Sequence, residues 1–177
     1  IQSLEVISGA PPAEYGDKTS LVIKVTTRSG LGETQPTGEV TASYGSFGSV
    51  NGGFNLAFGG TTWGNFISAN GLNTGRFLDP PEVQVMHDKG NQQNIFDRVD
   101  FQLSNLNTIH LNLGYTRSWF QTPNSFDAQT AGQDQRSLIK TFNIAPTWTH
   151  LFGSTTLFTL GGYVRQDRYN YVPSPNP

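Results

Sequence analysis

Residues 104–125 read SNLNTIHLNLGYTRSWFQTPNS, and the alternation inside this stretch decides the fold. Ile109, Leu111, Leu113, Tyr115 and Trp119 are apolar or amphipathic, whereas His110, Asn112, Thr116 and Ser118 are small and hydrogen-bonding. A period of two over this length is a strand with two unlike faces. The outer face of a soluble sheet is usually rich in Lys and Glu, but here the polar face carries Asn, Thr, Ser and Gly. One face therefore asks for an apolar surrounding, and the other for a neutral, wet or polar partner.

The rest of the chain repeats this pattern. After residue 38 the sequence predicts about seven strands, near 38–46, 49–59, 62–74, 92–103, 108–120, 138–150 and 154–169. The connections GGTT, SNLN and HLFGST are tight, whereas 75–91 and 121–137 are long and polar. Short turns at one end and long loops at the other are the layout of an outer-membrane β-barrel, which needs no long apolar run because only alternate residues meet lipid. From Ile109 to Trp119, about 3.3 Å per residue and a tilt of about 40° give a height of roughly 28 Å, enough for an apolar band of about 25 Å. Strand four puts Val99, Phe101 and Leu103 on one face and Arg98, Asp100 and Gln102 on the other. Pro146 has no N–H for a ladder, which predicts a bulge there.

Aromatic side chains, 12% of the sequence, sort to the strand ends. Trp63 and Trp148 fall beside short turns, and Trp119 and Tyr169 beside long loops, which predicts two interfacial girdles. The expected fold class is thus all-β, an antiparallel transmembrane β-barrel represented in part. Only 14% of residues are charged and the net charge is −2, so nothing favours nucleic acid. With no cysteine, thiolate chemistry and disulfides are excluded.

No catalytic constellation is legible, so no enzyme activity and no cofactor are expected. His87, His110 and His150 lack metal-ligand spacing, and no metal site is expected. In DRVD, residues 97–100, alternation sends Asp97 outward toward the extracellular rim and Asp100 inward. Ligand contact is expected in the loop holding Phe120, Asn124, Phe126 and Asp127, because loops on a rigid scaffold commonly carry binding. Arg117 and Lys140 fall on the apolar face near a long loop. They suit either contact with lipopolysaccharide phosphates or snorkelling to the interface.

The first 30 residues add a second kind of information. LEVISGAPPAEYG, residues 4–16, followed by LVIKVTTRSG, residues 21–30, resembles the end of the plug domain of TonB-dependent outer-membrane receptors. Glu5, Val6, Gly9, Tyr15 and Gly16 stand at that family's spacing, and Val22, Ile23, Val25 and Thr26 occupy its strand. Ser20 and Leu21 replace the usual paired glycines. The AEYG and VTTRSG variants look closest to Oar-like members with a carboxypeptidase-regulatory-type domain.

The resemblance implies 1–28 as the C-terminal part of a plug, 29–37 as a linker and 38–177 as the first strands of a barrel of about 22 strands. It implies a Gram-negative outer-membrane receptor importing a scarce ligand such as a siderophore, glycan or peptide. Its partners would be outer-membrane lipid and lipopolysaccharide, and the TonB complex through a segment upstream of residue 1. Glu5 and Arg28 in the plug piece are expected to meet wall charges such as Arg98 and Asp100. The alternatives are an outer-membrane adhesin or structural barrel without active transport, and a soluble carbohydrate-binding sandwich. The first needs no plug hairpin, and the second predicts charged outer faces and shorter strands.

Overall fold

A computed structural model describes residues 2–9, 16 and 21–176. Tyr15 and Ser20, two of the positions on which the resemblance turns, lie outside the described residues. Strands β1 (Ser3–Ser8) and β2 (Leu21–Thr26) pair antiparallel as a two-stranded sheet. The rest builds one antiparallel meander from β3 (Thr37–Gly45), β4 (Ser49–Gly59), β5 (Trp63–Thr74), β6 (Gly90–Ser104), β7 (Asn107–Gln121), β8 (Arg136–Phe152), β9 (Thr156–Gly161) and β10 (Val164–Val172). From β3 to β8 each strand pairs with the next, and β9 and β10 both pair with β8. The sheet is open, with β3 at one edge and β9 and β10 at the other.

The expected seventh strand is two strands, and Pro146 supplies the reason. The β7–β8 ladder passes through Leu111↔Pro146 with no register shift, so the expected bulge is absent. Across β8's other edge, Gly161 pairs with Thr147 and Val164 with Ile144, and residues 162 and 163 between them leave the strand. Gly162 N–H donates to the Pro146 carbonyl at 3.1 Å, but Pro146 has no N–H to return. The missing donor interrupts the neighbouring strand instead of shifting its own. The one register shift between β6 and β7 lies at Gln102/Ser104, beside the tight turn.

Register sorts the side chains into two faces. The polar face carries Asn55, Ser68, Asn94, Arg98, Asp100, His110, Asn112, Thr116, Asn143 and Thr147 in cross-strand neighbourhood. On the other face, Trp63, Phe101, Ile109, Trp148 and Leu160 form one row across five strands near the tight turns. Further along, Phe54, Ala69, Ile95, Tyr115 and Phe142 form another. Little of this apolar face is covered: Val40 is 82% exposed, Tyr44 80% and Leu160 59%. Among the described residues the buried apolar side chains are Ala57 and Phe66, and both belong to the polar face. A sheet whose apolar face is open and whose buried spot lies on the polar side has no core of the usual kind.

Asp97 departs from its expected place. It sits midway along β6, opposite Ile67 and Leu113 on the apolar face, instead of near a rim. Asn65 Nδ2 answers it with a short hydrogen bond to Oδ1, so the carboxylate is not left unpaired.

Candidate functional site

The segment that follows β2 crosses the polar face as a strap, and glycine makes its approach fit. Gly32 N–H donates to the Gly60 carbonyl, and Gly59 N–H to the Glu33 carbonyl, both at 2.9 Å. A Cβ at Gly64 would lie 2.0 Å from Leu31 N and 2.3 Å from the Gly30 carbonyl carbon. One at Gly30 would lie 2.1 Å from the Asn65 carbonyl oxygen. Backbone meets backbone here, so neither position has room for a side chain. Phe66, in the adjacent row, is 5% exposed under the strap, with the Arg28 guanidinium 5.9 Å from its ring centre.

An ion pair pins the strap. Asp100 is 1% exposed, and its carboxylate accepts from Arg98 Nε at 3.0 and 3.1 Å and from Arg98 Nη2 at 2.9 Å. Ser29 Oγ donates to Asp100 Oδ2, and His110 Nδ1 lies 3.1 Å from Oδ1. Arg98 Nη1 then reaches the strap directly, at 2.8 Å from the Thr27 carbonyl and 2.9 Å from Thr27 Oγ1. Every charge is answered by several hydrogen bonds, the condition under which a buried pair is tolerated. Asn55 Oδ1 and Asn112 Oδ1, on the same face, are buried without a hydrogen-bond partner.

Of the residues expected at a plug–wall contact, Arg98 and Asp100 lie together at this latch. Arg28 instead donates to Thr37 Oγ1 at 3.0 Å, and Glu5 faces Lys24 at 3.8 Å within its own hairpin. Thr27, Ser29, Gly30 and Gly64 were hidden in the sequence by their ordinary company. TTRSG has linker composition, and an isolated glycine in a strand reads as a weak spot, although close backbone approach is the other meaning of such a glycine.

The long loops 75–89 and 122–135 form a second cluster. Phe77 stacks on Phe120, with ring centres 5.3 Å apart. Asn124 is buried and its Nδ2 donates to Gln129 Oε1 and the Gln133 carbonyl, while its N–H donates to the Met86 carbonyl. Ser125 caps the short helix α1 (Phe126–Thr130), accepting from Ala128 N–H. His87, held at φ +51, bridges the Thr122 carbonyl at 2.8 Å and Asp134 Oδ1 at 2.7 Å. Asp88, 1% exposed, accepts from Leu78 N–H at 2.8 Å. Of the four expected ligand contacts, Phe120 and Asn124 are engaged in joining the loops. Phe126 is 53% exposed, and Asp127 occupies the first turn of α1.

The expected girdle residues divide. Trp63 and Trp148 lie in one row at the tight-turn end, and Trp119 lies opposite Leu138 at the long-loop end, all on the apolar face. Tyr169 is on the other face, opposite Ile139, with its hydroxyl 3.0 Å from Ser137 Oγ. Among the described residues no group of acidic, His or Cys side chains is arranged to hold a metal ion, and no helix is long and apolar enough to cross a membrane.

Compared with protein-family models, curated proteins and solved structures, the chain matches none.

Two measurements test these clusters. Gly64→Ala is expected to lift the strap, seen as new protease cleavage within residues 27–34. Asp100→Ala should do the same by stranding Arg98, a loss of about 3–5 kcal/mol in docking; an unchanged cleavage pattern in both variants overturns the latch. In the loops, the guanidinium of Arg136 and then the ring of His87 hold the Asp134 carboxyl at about 2, below its ordinary 3.8. A depressed carboxylate stabilises fully above the unfolded value and loses that effect as pH falls through the folded value. Protection of the Thr122 amide from hydrogen exchange is therefore expected to hold at pH 5 and decline between about 4 and 2. In Asp134→Asn it should already be reduced at pH 5 and show no such decline.

Proposed function

We propose that this chain is a piece of an outer-membrane receptor of the TonB-dependent kind: β3 to β10 are barrel wall, β1 and β2 are the end of a plug, and the strap fastens one to the other. The observation that carries this reading is the pairing of an uncovered apolar face with a polar face on which the plug-like segment is latched through Asp100. In lipid the apolar rows need no protein cover, and the neutral inner wall serves a plug or a ligand path. An open sheet leaves N–H and C=O groups unanswered at both edges, so in lipid the strands require further partners to close the ring.

The same layout bears on the two alternatives. A surface barrel without transport has no need of a segment pinned across its inner wall by a buried ion pair, so the latch favours a plugged receptor. A sandwich would bury its apolar rows under a second sheet, and here they stay open. The long-loop cluster then lies on the outer side, where Phe126 and the exposed face of α1 are placed to meet the imported ligand. The Asn65–Asp97 pair sits within the lipid-facing rows, where mutual hydrogen bonding limits its cost.

The chain has no cysteine, so single-cysteine scanning reads the faces directly. In the full-length protein in native membranes, Leu111→Cys and Leu113→Cys are expected to resist a water-soluble thiol reagent and react with a lipid-soluble one. Thr116→Cys, on the opposite face, is expected to react with the water-soluble reagent once the plug is displaced by urea. The protein itself should fractionate with the outer membrane and shift in mobility on boiling. Recovery in the soluble fraction, with equal labelling at all three positions, would falsify the membrane reading.

A further inference from the structure

Arg117, Lys140 and Arg168 lie side by side on three adjacent strands of the apolar face. The register pairs Arg117 with Lys140 and Lys140 with Arg168, so the three cations form one row. Like charges directly opposite one another in a sheet are destabilising. Among the described residues, none of the three has an acidic partner within salt-bridge distance. Neighbouring amides fix the first of them: Arg117 Nη1 donates to Asn91 Oδ1 at 2.7 Å and to Gln93 Oε1 at 3.0 Å, while Gln93 Nε2 donates to Asn91 at 3.1 Å. Both bonds use Nη1, and among the described residues Nε and Nη2 make no hydrogen bond to a side chain. Lys140 and Arg168 are exposed.

What lies beneath the row is apolar. Tyr115 and Phe142, paired across β7 and β8, form the next row toward the tight turns. With Gln166, Lys140 and Arg168 they line a hollow of about 210 Å³. The site therefore has an aromatic floor and a cationic upper edge, close to the level of Trp119. This is the complement of a lipid with a phosphorylated headgroup: anionic oxygens for the row, and acyl or glycerol carbons for the rings. A guanidinium suits phosphate because it offers parallel N–H donors.

We propose that Arg117, Lys140 and Arg168 form a binding site for the phosphate groups of a glycolipid in the leaflet on the long-loop side. The proposal rests on the reading that the apolar face meets lipid. It explains why three cations share a row on a face that otherwise carries few charges. Snorkelling alone requires neither adjacency nor the amide clamp on Arg117.

The test uses the full-length protein extracted in mild detergent, with a phosphorylated glycolipid and its dephosphorylated form as probes. The phosphorylated probe is expected to bind, and the dephosphorylated one to bind far less. Lys140→Gln and Arg168→Gln should each weaken binding about fivefold, and the double variant about thirtyfold. Arg165→Gln removes a cation from the polar face of the same strand and is expected to change nothing; an equal loss there would reduce the effect to net charge and overturn the proposal. Inorganic phosphate at millimolar concentration should compete weakly, and displacement as effective as that by the lipid would overturn the lipid assignment. A heat-modifiable band in each variant establishes that it is folded. If the protein is membrane-embedded and both probes bind alike, this proposal fails while the receptor reading stands. If the protein does not fractionate with membranes, both fail.

Discussion

The carboxylate of Asp100 is the point on which the arrangement depends. A buried charge is costly unless it is answered on all sides, and Asp100 is answered from three directions: Arg98 from its own strand, Ser29 from the strap and His110 from the next strand. The same guanidinium that neutralises it grips Thr27, so charge compensation and strap docking are one event. Because β6 is also a central strand, the latch ties the hairpin side of the chain to the middle of the sheet. The glycines at 30 and 64 are a precondition, since any side chain there would hold the strap beyond hydrogen-bond reach of Asp100.

Much of the sheet was legible in the sequence because its information is local. Alternation in β6, β7 and β8 assigns faces without a partner, and the contrast of tight turns with long loops gives the meander. What escaped depends on contacts between distant residues. Phe66 breaks the polar pattern of β5, and the strap above it, with Phe96 of β6 at 6.4 Å between ring centres, explains an aromatic ring on that face. The split between β9 and β10 originates in Pro146 of the strand alongside. The expected strand over 92–103 is itself centred near residue 97, so the mid-height place of Asp97 follows from the strand's own bounds and the rim position does not.

The candidate site divides in the same way. Arg98 and Asp100 declare themselves as charges on a neutral face, a signal available from composition and alternation alone. Ser29 and the glycines carry no such signal, and their importance comes from crossings distant in sequence, Ser29 with Asp100 and Gly30 with Gly64 and Asn65. In the loops, Asn124 looked like a ligand contact because exposed loop amides often are, but it is a joint between loop segments. The role of His87 is not legible in its own segment because its partners Thr122 and Asp134 come from the next long loop.

That joint has a consequence for how such a surface diversifies. Loops 75–89 and 122–135 share a histidine bridge and a main-chain hydrogen bond, and Phe77 of the first stacks on Phe120 at the end of β7, so the two brace each other. A sequence change in one alters the footing of its neighbour. A new surface at this end of the sheet would have to arise by matched changes across two loops, or be confined to the outward positions of α1, whose first residue still meets the other loop, with Phe126 N–H donating to Glu82 Oε1 at 3.4 Å. The bracing thus separates a base whose positions depend on one another from a small outward rim whose side chains face away from it.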